Sequence, residues 1–264
     1  MQAKKIWAMY WSATGTTRTV VTAVAGKMAG RLGLPLEEYD FTLPAARQGA
    51  PEFGPEDVVV FGTPTYAGRV PNVLLKYLAT VKGNGAAAVP VVTFGNRAFD
   101  DSLIELRDIL ADNGFRPFAA AAFACEHSFS TTLAAGRPDA DDLALAAQFA
   151  GQAAARVAAL DADTPVIEVP GRAKADRDYY QPRDRAGNSI DIRKVKPKTN
   201  DQCDNCGICA EVCPMGSIDP QDVRQFTGIC IKCGAKYYDD PGYLYHKTEL
   251  EEGYKRRAEV SLFL

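Results

Sequence analysis

Six of the seven cysteines in this 264-residue chain lie between Cys203 and Cys233. The first run reads Cys203-Asp-Asn-Cys206-Gly-Ile-Cys209-Ala-Glu-Val-Cys213-Pro214. Spacings of three let three thiolates wrap one iron–sulfur cubane. The longer step to Cys213 turns a fourth thiolate away, towards a second cluster, and Pro214 helps to set that turn. Zinc is the rival, because Cys-x-x-Cys pairs also suit a tetrahedral ion. A second run, Cys230-Ile-Lys-Cys233, continues to Lys236, Asp240 and Pro241. Laid on the same spacing, Lys236 and Asp240 stand where a third and a fourth cysteine would. The opening MQAKKIWAMYW reads as a first strand and not as an export signal. Metal ligation is therefore expected over secreted disulfides. Cys125 stands alone after an alanine-rich apolar run and reads as a buried small hydrophobe.

A different chemistry is written at Ser12-Ala13-Thr14-Gly15-Thr16-Thr17. Small residues let the backbone turn tightly and aim N–H groups inward. Hydroxyls add donors, and a helix starting near Thr17 points its positive end at the same place. Ser12, Thr14, Gly15, Thr16 and Thr17 are thus candidates for holding a phosphate monoester. The lysine of a P-loop and the three glycines of a dinucleotide fingerprint are both missing. An ordinary Ser/Thr helix cap is the plainer alternative.

Three further loops follow apolar runs. Thr63-Pro64-Thr65-Tyr66-Ala67-Gly68 has a proline that stiffens the turn, a glycine that permits close approach, and an aromatic able to stack on a flat heterocycle. Phe94-Gly95-Asn96-Arg97 leads on to Phe99 and Asp100. Its backbone and the Asn96 amide suit a ring's polar edge, and Arg97 suits negative charge on a reduced ring or a surface ion pair. Glu126-His127 follows Cys125. His127 has the pKa range of a proton donor, and is the candidate catalytic residue, or it ties its own loop down.

With these loops in place, residues 1–160 resemble a flavodoxin-type domain. Ser12–Thr17 match that family's phosphate loop, and Tyr66 falls where it commonly stacks an aromatic on the ring. Gly95–Asn96–Arg97 and Glu126–His127–Ser128 resemble the variant in which such a domain is fused to a bacterial two-cluster ferredoxin domain. The resemblance implies non-covalent FMN and one or two 4Fe-4S or 3Fe-4S clusters. Its rule is that the last ligand of each run serves the other cluster. One cluster would then take Cys203, Cys206, Cys209 and Asp240. The other would take Cys213, Cys230 and Cys233, with Lys236 in its fourth place. Lysine is protonated at neutral pH and a poor ligand. Two clusters with three cysteines each is the leading expectation; a single cluster is the alternative.

Positioning these loops needs βαβ units. Short apolar runs at Ile6–Trp11, Val58–Gly62, Ala88–Phe94 and Phe118–Phe123, with Leu34–Tyr39, read as strands. Helical patterns fall at Thr17–Leu32, Val70–Val81, Asp100–Asn113 and Asp139–Leu160. The expected fold class is α/β, a doubly wound parallel sheet that binds its ligand at the strands' C-terminal ends. A small C-terminal α+β domain of ferredoxin type follows. The expected division is 1–163 for the FMN domain, 164–199 for a linker and 200–264 for the iron–sulfur domain. The linker holds nine Lys/Arg and four Asp between Arg172 and Lys198. It reads as solvated chain, or as a basic strip guiding an acidic partner. The end, Val260–Leu264, reads as a closing strand or extended tail.

Composition bounds the function. Hydrophobic residues make up 47% and charged residues 24%, which are globular values, and the net charge of -3 does not suit a duplex nucleic-acid binder. No apolar run reaches the roughly 18–20 residues of a membrane span. A cytoplasmic electron carrier passing electrons between cluster and FMN, and so between redox partner proteins, is the expected function. An FMN-dependent reductase of a small acceptor such as a quinone, and a non-redox module with a degenerate cluster site, are the alternatives.

Overall fold

A computed structural model describes all residues except Ala162, Arg185, Arg193, Lys194, Ala235, Lys236 and Tyr237. Strands β1 (Lys5–Tyr10), β2 (Leu36–Asp40), β3 (Asp57–Pro64), β4 (Ala87–Phe94) and β6 (Ala120–Ala124) lie side by side, with β5 (Arg116–Pro117) a two-residue offshoot of β4. The order is β2-β1-β3-β4-β6, and every one of these pairings is parallel. Counting full strands only, this is the 2-1-3-4-5 order of the flavodoxin-like doubly wound fold. The strand β7 (Ser261–Phe263) then joins β6 antiparallel, so the sheet is mixed.

Alternation explains the two layers. Ile6, Ala8 and Tyr10, with Val58, Val60, Val89 and Val91, face a core shared with α1 (Thr16–Leu32) and α4 (Ala140–Val157). Met9, Val59, Phe61, Val92 and Phe94 face the opposite core, shared with α2 (Asn72–Leu78) and α3 (Ser102–Asp112). Side chains along a strand alternate between faces, so a run buried on both sides must be apolar throughout, as β4 is. Each fully buried large side chain contributes about 1.5–3 kcal/mol. Ala146, Ala150, Ala153 and Ala154 let α4 approach α1 closely.

Helix bounds differ from the sequence reading at breakers. α2 begins after Pro71, which cannot donate a backbone bond, and stops ahead of Lys82–Gly83. The strand expected at Phe118–Phe123 is found as β6, Ala120–Ala124, with the two-residue β5 lying just before it. Two elements have no counterpart in the sequence reading: the four-residue α5 (Ile208–Glu211) and the longer α6 (Pro241–Gly253).

The segment read as a linker packs on the sheet domain. Ile167 and Val169 join the α2/α3 core, and Arg172, Lys174 and Arg177 pair with Asp101, Asp112 and Asp108 around α3. Lys198 pairs with Asp239. The idea of a free basic strip is corrected accordingly for these cations: local carboxylates already neutralise them. Arg185, Arg193 and Lys194, which belong to the same strip, lie outside the described residues. Among the described residues no helix is long and apolar enough to cross a membrane.

The chain's end is fastened by a buried ion-pair cluster. Asp139 caps α4 and forms a capping box with Asp142. Arg137 grips the Asp142 carboxylate with two hydrogen bonds of 2.8 and 2.6 Å and donates to Ala258 O. Arg257 reaches both Asp139 and Asp142. Asp142 is 1% exposed and Arg137 5%. Asp142→Leu leaves Arg137 buried without its carboxylate, so a loss of about 3–5 kcal/mol is expected in urea unfolding followed by circular dichroism.

Candidate functional site

The loops at the C-terminal ends of β1, β3, β4 and β6 meet around a cavity of about 600 Å³. At its β1 end, Gly15 adopts φ 87° and opens α1 with no side-chain cap of its own. Ser12 Oγ accepts from Arg18 N at 3.0 Å and so serves the helix, as a cap residue would. Among the described residues no protein acceptor meets the amides of Thr16 and Thr17. Thr14, Thr16 and Thr17 line the cavity. The Thr17 hydroxyl is spent on Thr93 Oγ1, 2.7 Å away and buried. First-turn amides without partners at the positive end of a 17-residue helix leave N–H donors open to an acceptor in the cavity.

The β3 loop is a tight turn. Tyr66 and Arg69 exchange backbone bonds of 2.9 and 3.1 Å across Ala67 (φ 49°) and Gly68 (φ 78°). Positive φ at both central positions is the mark of a type I′ turn. A Cβ on Gly68 would sit 2.4 Å from an Asp100 carboxylate oxygen, so only glycine lets this turn close on the β4 loop. Pro64, Thr65, Tyr66, Ala67 and Gly68 all line the cavity. Tyr66 is half-buried, edge-on to Trp11 at 5.8 Å, and its phenol is pushed well above the usual range by burial first and then by Cys233 and Cys230. Thr63 Oγ1 and Trp11 Nε1, at the ends of these strands, are buried polar atoms without a partner.

The β4 loop divides by role. Gly95 and Arg97 line the cavity, as does Phe94. A Cβ on Gly95 would lie 2.2 Å from the His127 ring. Asn96 is 4% exposed; its amide donates to Tyr254 O and Arg256 O and accepts from Ala258 N. The Asn96 amide, read from sequence as a donor to a ring, is therefore saturated by the C-terminal segment. Phe99 packs on Phe94, and Asp100 pairs with Arg97; neither lines the cavity. The Arg97 guanidinium lies over the Tyr180 ring at 4.5 Å.

Glu126 and His127 both line the cavity, and Glu126 also accepts from Gly136 N. His127 Nδ1 accepts from Phe129 N at 3.0 Å. Burial, then His246 and Arg97, lower its pKa from 6.5 to about 4. A neutral imidazole at pH 7 with one nitrogen engaged is a poor proton donor, and this counts against the catalytic role read from sequence. Cys125 is 2% exposed and burial pushes its thiol up to about 12, the behaviour of an inert core residue.

Sequence reasoning missed the far wall. Tyr180 N donates to Ala67 O at 2.8 Å, Tyr179 Oη donates to Val70 O at 3.0 Å, and both rings line the cavity with Ile190, Ile229, Cys230 and Lys232. The signal was the adjacent tyrosines in an otherwise polar stretch.

The first cysteine run wraps into α5 through Asn205 (φ 59°) and Gly207 (φ 84°). Asn205 ties it to Gln221 O and Val223 N. Cys203, Cys209 and Cys213 are half-buried, Cys206 is exposed, and Cys213 Sγ accepts from Ser217 N at 3.4 Å. Cys230 Sγ lies 3.3 Å from Tyr238 Oη. Asp240 Oδ1 caps α6 by accepting from Tyr243 N at 2.9 Å, so one of its two carboxylate oxygens is committed to the helix. Lys236 lies outside the described residues. Among the described residues, no three His, Cys, Asp or Glu side chains converge as a single metal ion requires.

A family model described as a 4Fe-4S binding domain matches residues 197–219. No curated protein matches the chain. Among solved structures, a flavodoxin from the domain Archaea is 12% identical, covering 58% of this chain and 99% of that one at a TM-score of 0.42. The flavodoxin of Streptococcus pneumonia TIGR4 is 21% identical over 59% of this chain and 99% of that one, TM-score 0.38. An NADH:FMN oxidoreductase in its apo form is 19% identical over 57% and 90%, TM-score 0.39. The chain thus carries a 4Fe-4S-type sequence C-terminal to a sheet of flavodoxin-like order.

A histidine whose pKa falls on folding adds stability above its unfolded value near 6.5 and loses it as pH drops towards 4. His127→Gln is therefore expected to remove about 2–3 kcal/mol of the stability difference between pH 7 and pH 4, measured by urea unfolding at both values.

Proposed function

We propose that the cavity takes FMN and that the first cysteine run holds an iron–sulfur centre, so that the chain passes electrons between the two and between redox partner proteins. The observation that carries this is the set of unpartnered first-turn amides of α1, opening on a cavity walled by the turn of Tyr66 and by Gly95. In this reading Thr14, Thr16 and the loop amides bind the phosphate. Tyr66 and the backbone at Gly95 orient the ring, and Arg97 supplies positive charge at the cavity wall. Bound FMN would supply one- and two-electron chemistry. Cys203, Cys206 and Cys209 supply three thiolates for the iron–sulfur centre. The fourth place falls to Asp240 through its other oxygen, or to an external ligand. Seven cysteines without a disulfide suit a reducing compartment such as the cytoplasm.

A second reading, reduction of a small organic acceptor, is favoured by one observation. The cavity lining continues beyond the ring-binding loops to Ile190, Ile192 and Ile229, which offer apolar surface to a small organic molecule. Steady turnover of a quinone by the FMN-loaded protein, without any protein acceptor, would favour it over the carrier.

Two measurements test the main reading. Thr14→Glu places a carboxylate at the phosphate seat, and FMN affinity by fluorescence quenching is expected to fall about a hundredfold, with riboflavin affinity changed far less. Equal loss for both ligands would overturn the phosphate assignment. Protein purified without oxygen is expected to carry about three to four irons per chain with matching sulfide, and Cys206→Ser to lose them. FMN without sulfide would sink the iron–sulfur half.

A further inference from the structure

The second cysteine run poses a separate problem. As a cubane site it would have Cys213, Cys230 and Cys233, with a lysine in the fourth place. That donor set does not fit a four-thiolate cluster, because an ammonium offers no lone pair to iron. Two of its thiols stand instead beside the flavin cavity. Cys230 lines the cavity together with Tyr66, Gly95 and His127. Between the two cysteines the chain turns at Lys232, which has φ 58° and is 4% exposed. Past Cys233 it turns again at Gly234 (φ 83°), where a Cβ would lie 3.1 Å from Ser128 O on the β6 loop. The pair is thus seated against the ring-binding loops. Tyr238, buried at 8% exposure, sets its hydroxyl 3.3 Å from Cys230 Sγ.

We infer that Cys230 and Cys233 form a redox-active dithiol that exchanges two electrons with the flavin in the adjoining cavity. This rests on the reading of the cavity as an FMN site. In the reducing direction, the Cys230–Cys233 disulfide accepts two electrons and one proton from the singly deprotonated reduced flavin. Its S–S bond breaks to one thiol and one thiolate, and the flavin returns to its oxidised form. The Tyr238 hydroxyl, 3.3 Å from Cys230 Sγ, is placed to hydrogen-bond the thiolate. A two-residue spacer is the usual arrangement of such pairs. Lys232, buried between the two cysteines, donates to Cys230 O at 3.1 Å and helps to hold the turn.

The test needs no turnover. The anaerobically purified protein is equilibrated in glutathione buffers from reducing to oxidising, its thiols are trapped by alkylation, and the peptide carrying both cysteines is weighed. The expected result is a Cys230–Cys233 disulfide that appears as the buffer becomes oxidising and is absent in Cys233→Ser. In FMN-loaded protein, photoreduction before trapping is expected to convert that disulfide back to two alkylated thiols. A pair that stays alkylated across the whole range overturns the inference. So does a disulfide that survives photoreduction of bound FMN. Loss of iron and sulfide in Cys230→Ser also overturns it, since the pair would then be ligating a cluster. FMN binding is measured separately by fluorescence quenching; its failure overturns the cavity reading itself, and the dithiol's coupling to flavin with it.

Discussion

The pairing of β7 with β6 is the constraint on which the arrangement of the site depends. It returns the last residues of the chain to the sheet, about a hundred residues after α4 leaves it. β6 is four alanines and Phe123, all buried, and without β7 it would be the edge of the sheet, so its backbone gains from a pairing partner. The Arg137, Asp142 and Arg257 cluster and the Asn96 amide secure the same crossing with hydrogen bonds to Tyr254, Arg256 and Ala258. Everything between Leu160 and Ser261 is consequently a long excursion tied at both ends to one sheet.

That tether gives the excursion its position. Ile167 and Val169 fix its start in the α2/α3 core, and Tyr180 fixes its middle on the Ala67 carbonyl. Arg47 donates to Pro214 O at 2.7 Å and joins the first cysteine run to the far side of the sheet domain. A small cysteine-bearing lobe has little core of its own. Val223, Tyr238 and Tyr243 are among its few buried side chains, and Tyr243 packs on Phe129 of the larger domain. The same contacts bring Cys230 to the cavity wall. Cys230 meets the cavity because the fold is closed on itself, and not because the two halves are adjacent in sequence.

The site shows how hydrogen-bond accounting sorts residues that look alike in a motif. Ser12 and Thr17 are both hydroxyls in the loop that opens α1, yet one serves the α1 backbone and the other Thr93. Gly95, Asn96 and Arg97 are consecutive, yet Asn96 faces the C-terminal segment and its neighbours face the cavity. A buried amide left without partners costs about 1–3 kcal/mol, so whichever acceptor reaches it first decides its role. Electrostatics acts likewise on His127, where burial and two neighbouring basic groups hold the imidazole neutral.

Local pattern determined what is periodic or chemically spaced. The alternation of apolar residues set β1, β3 and β4, and the Ser/Thr/Gly run set the α1 entrance. The cysteine spacing named the thiolate chemistry, which the 4Fe-4S match over 197–219 shares. These depend on neighbours within a few residues, and a sequence displays such neighbours directly. Tertiary structure alone decided the antiparallel pairing of β7 with β6, the wall of Tyr179 and Tyr180, the saturation of Asn96 and the capping role of Asp240. Each of the first three joins segments separated by more than a hundred positions. The fourth turns on which helix begins at Pro241, and α6 lacks the strong apolar periodicity that would have announced it. Long-range partners are chosen by which unsatisfied groups the closed fold brings together, and no local pattern carries that information.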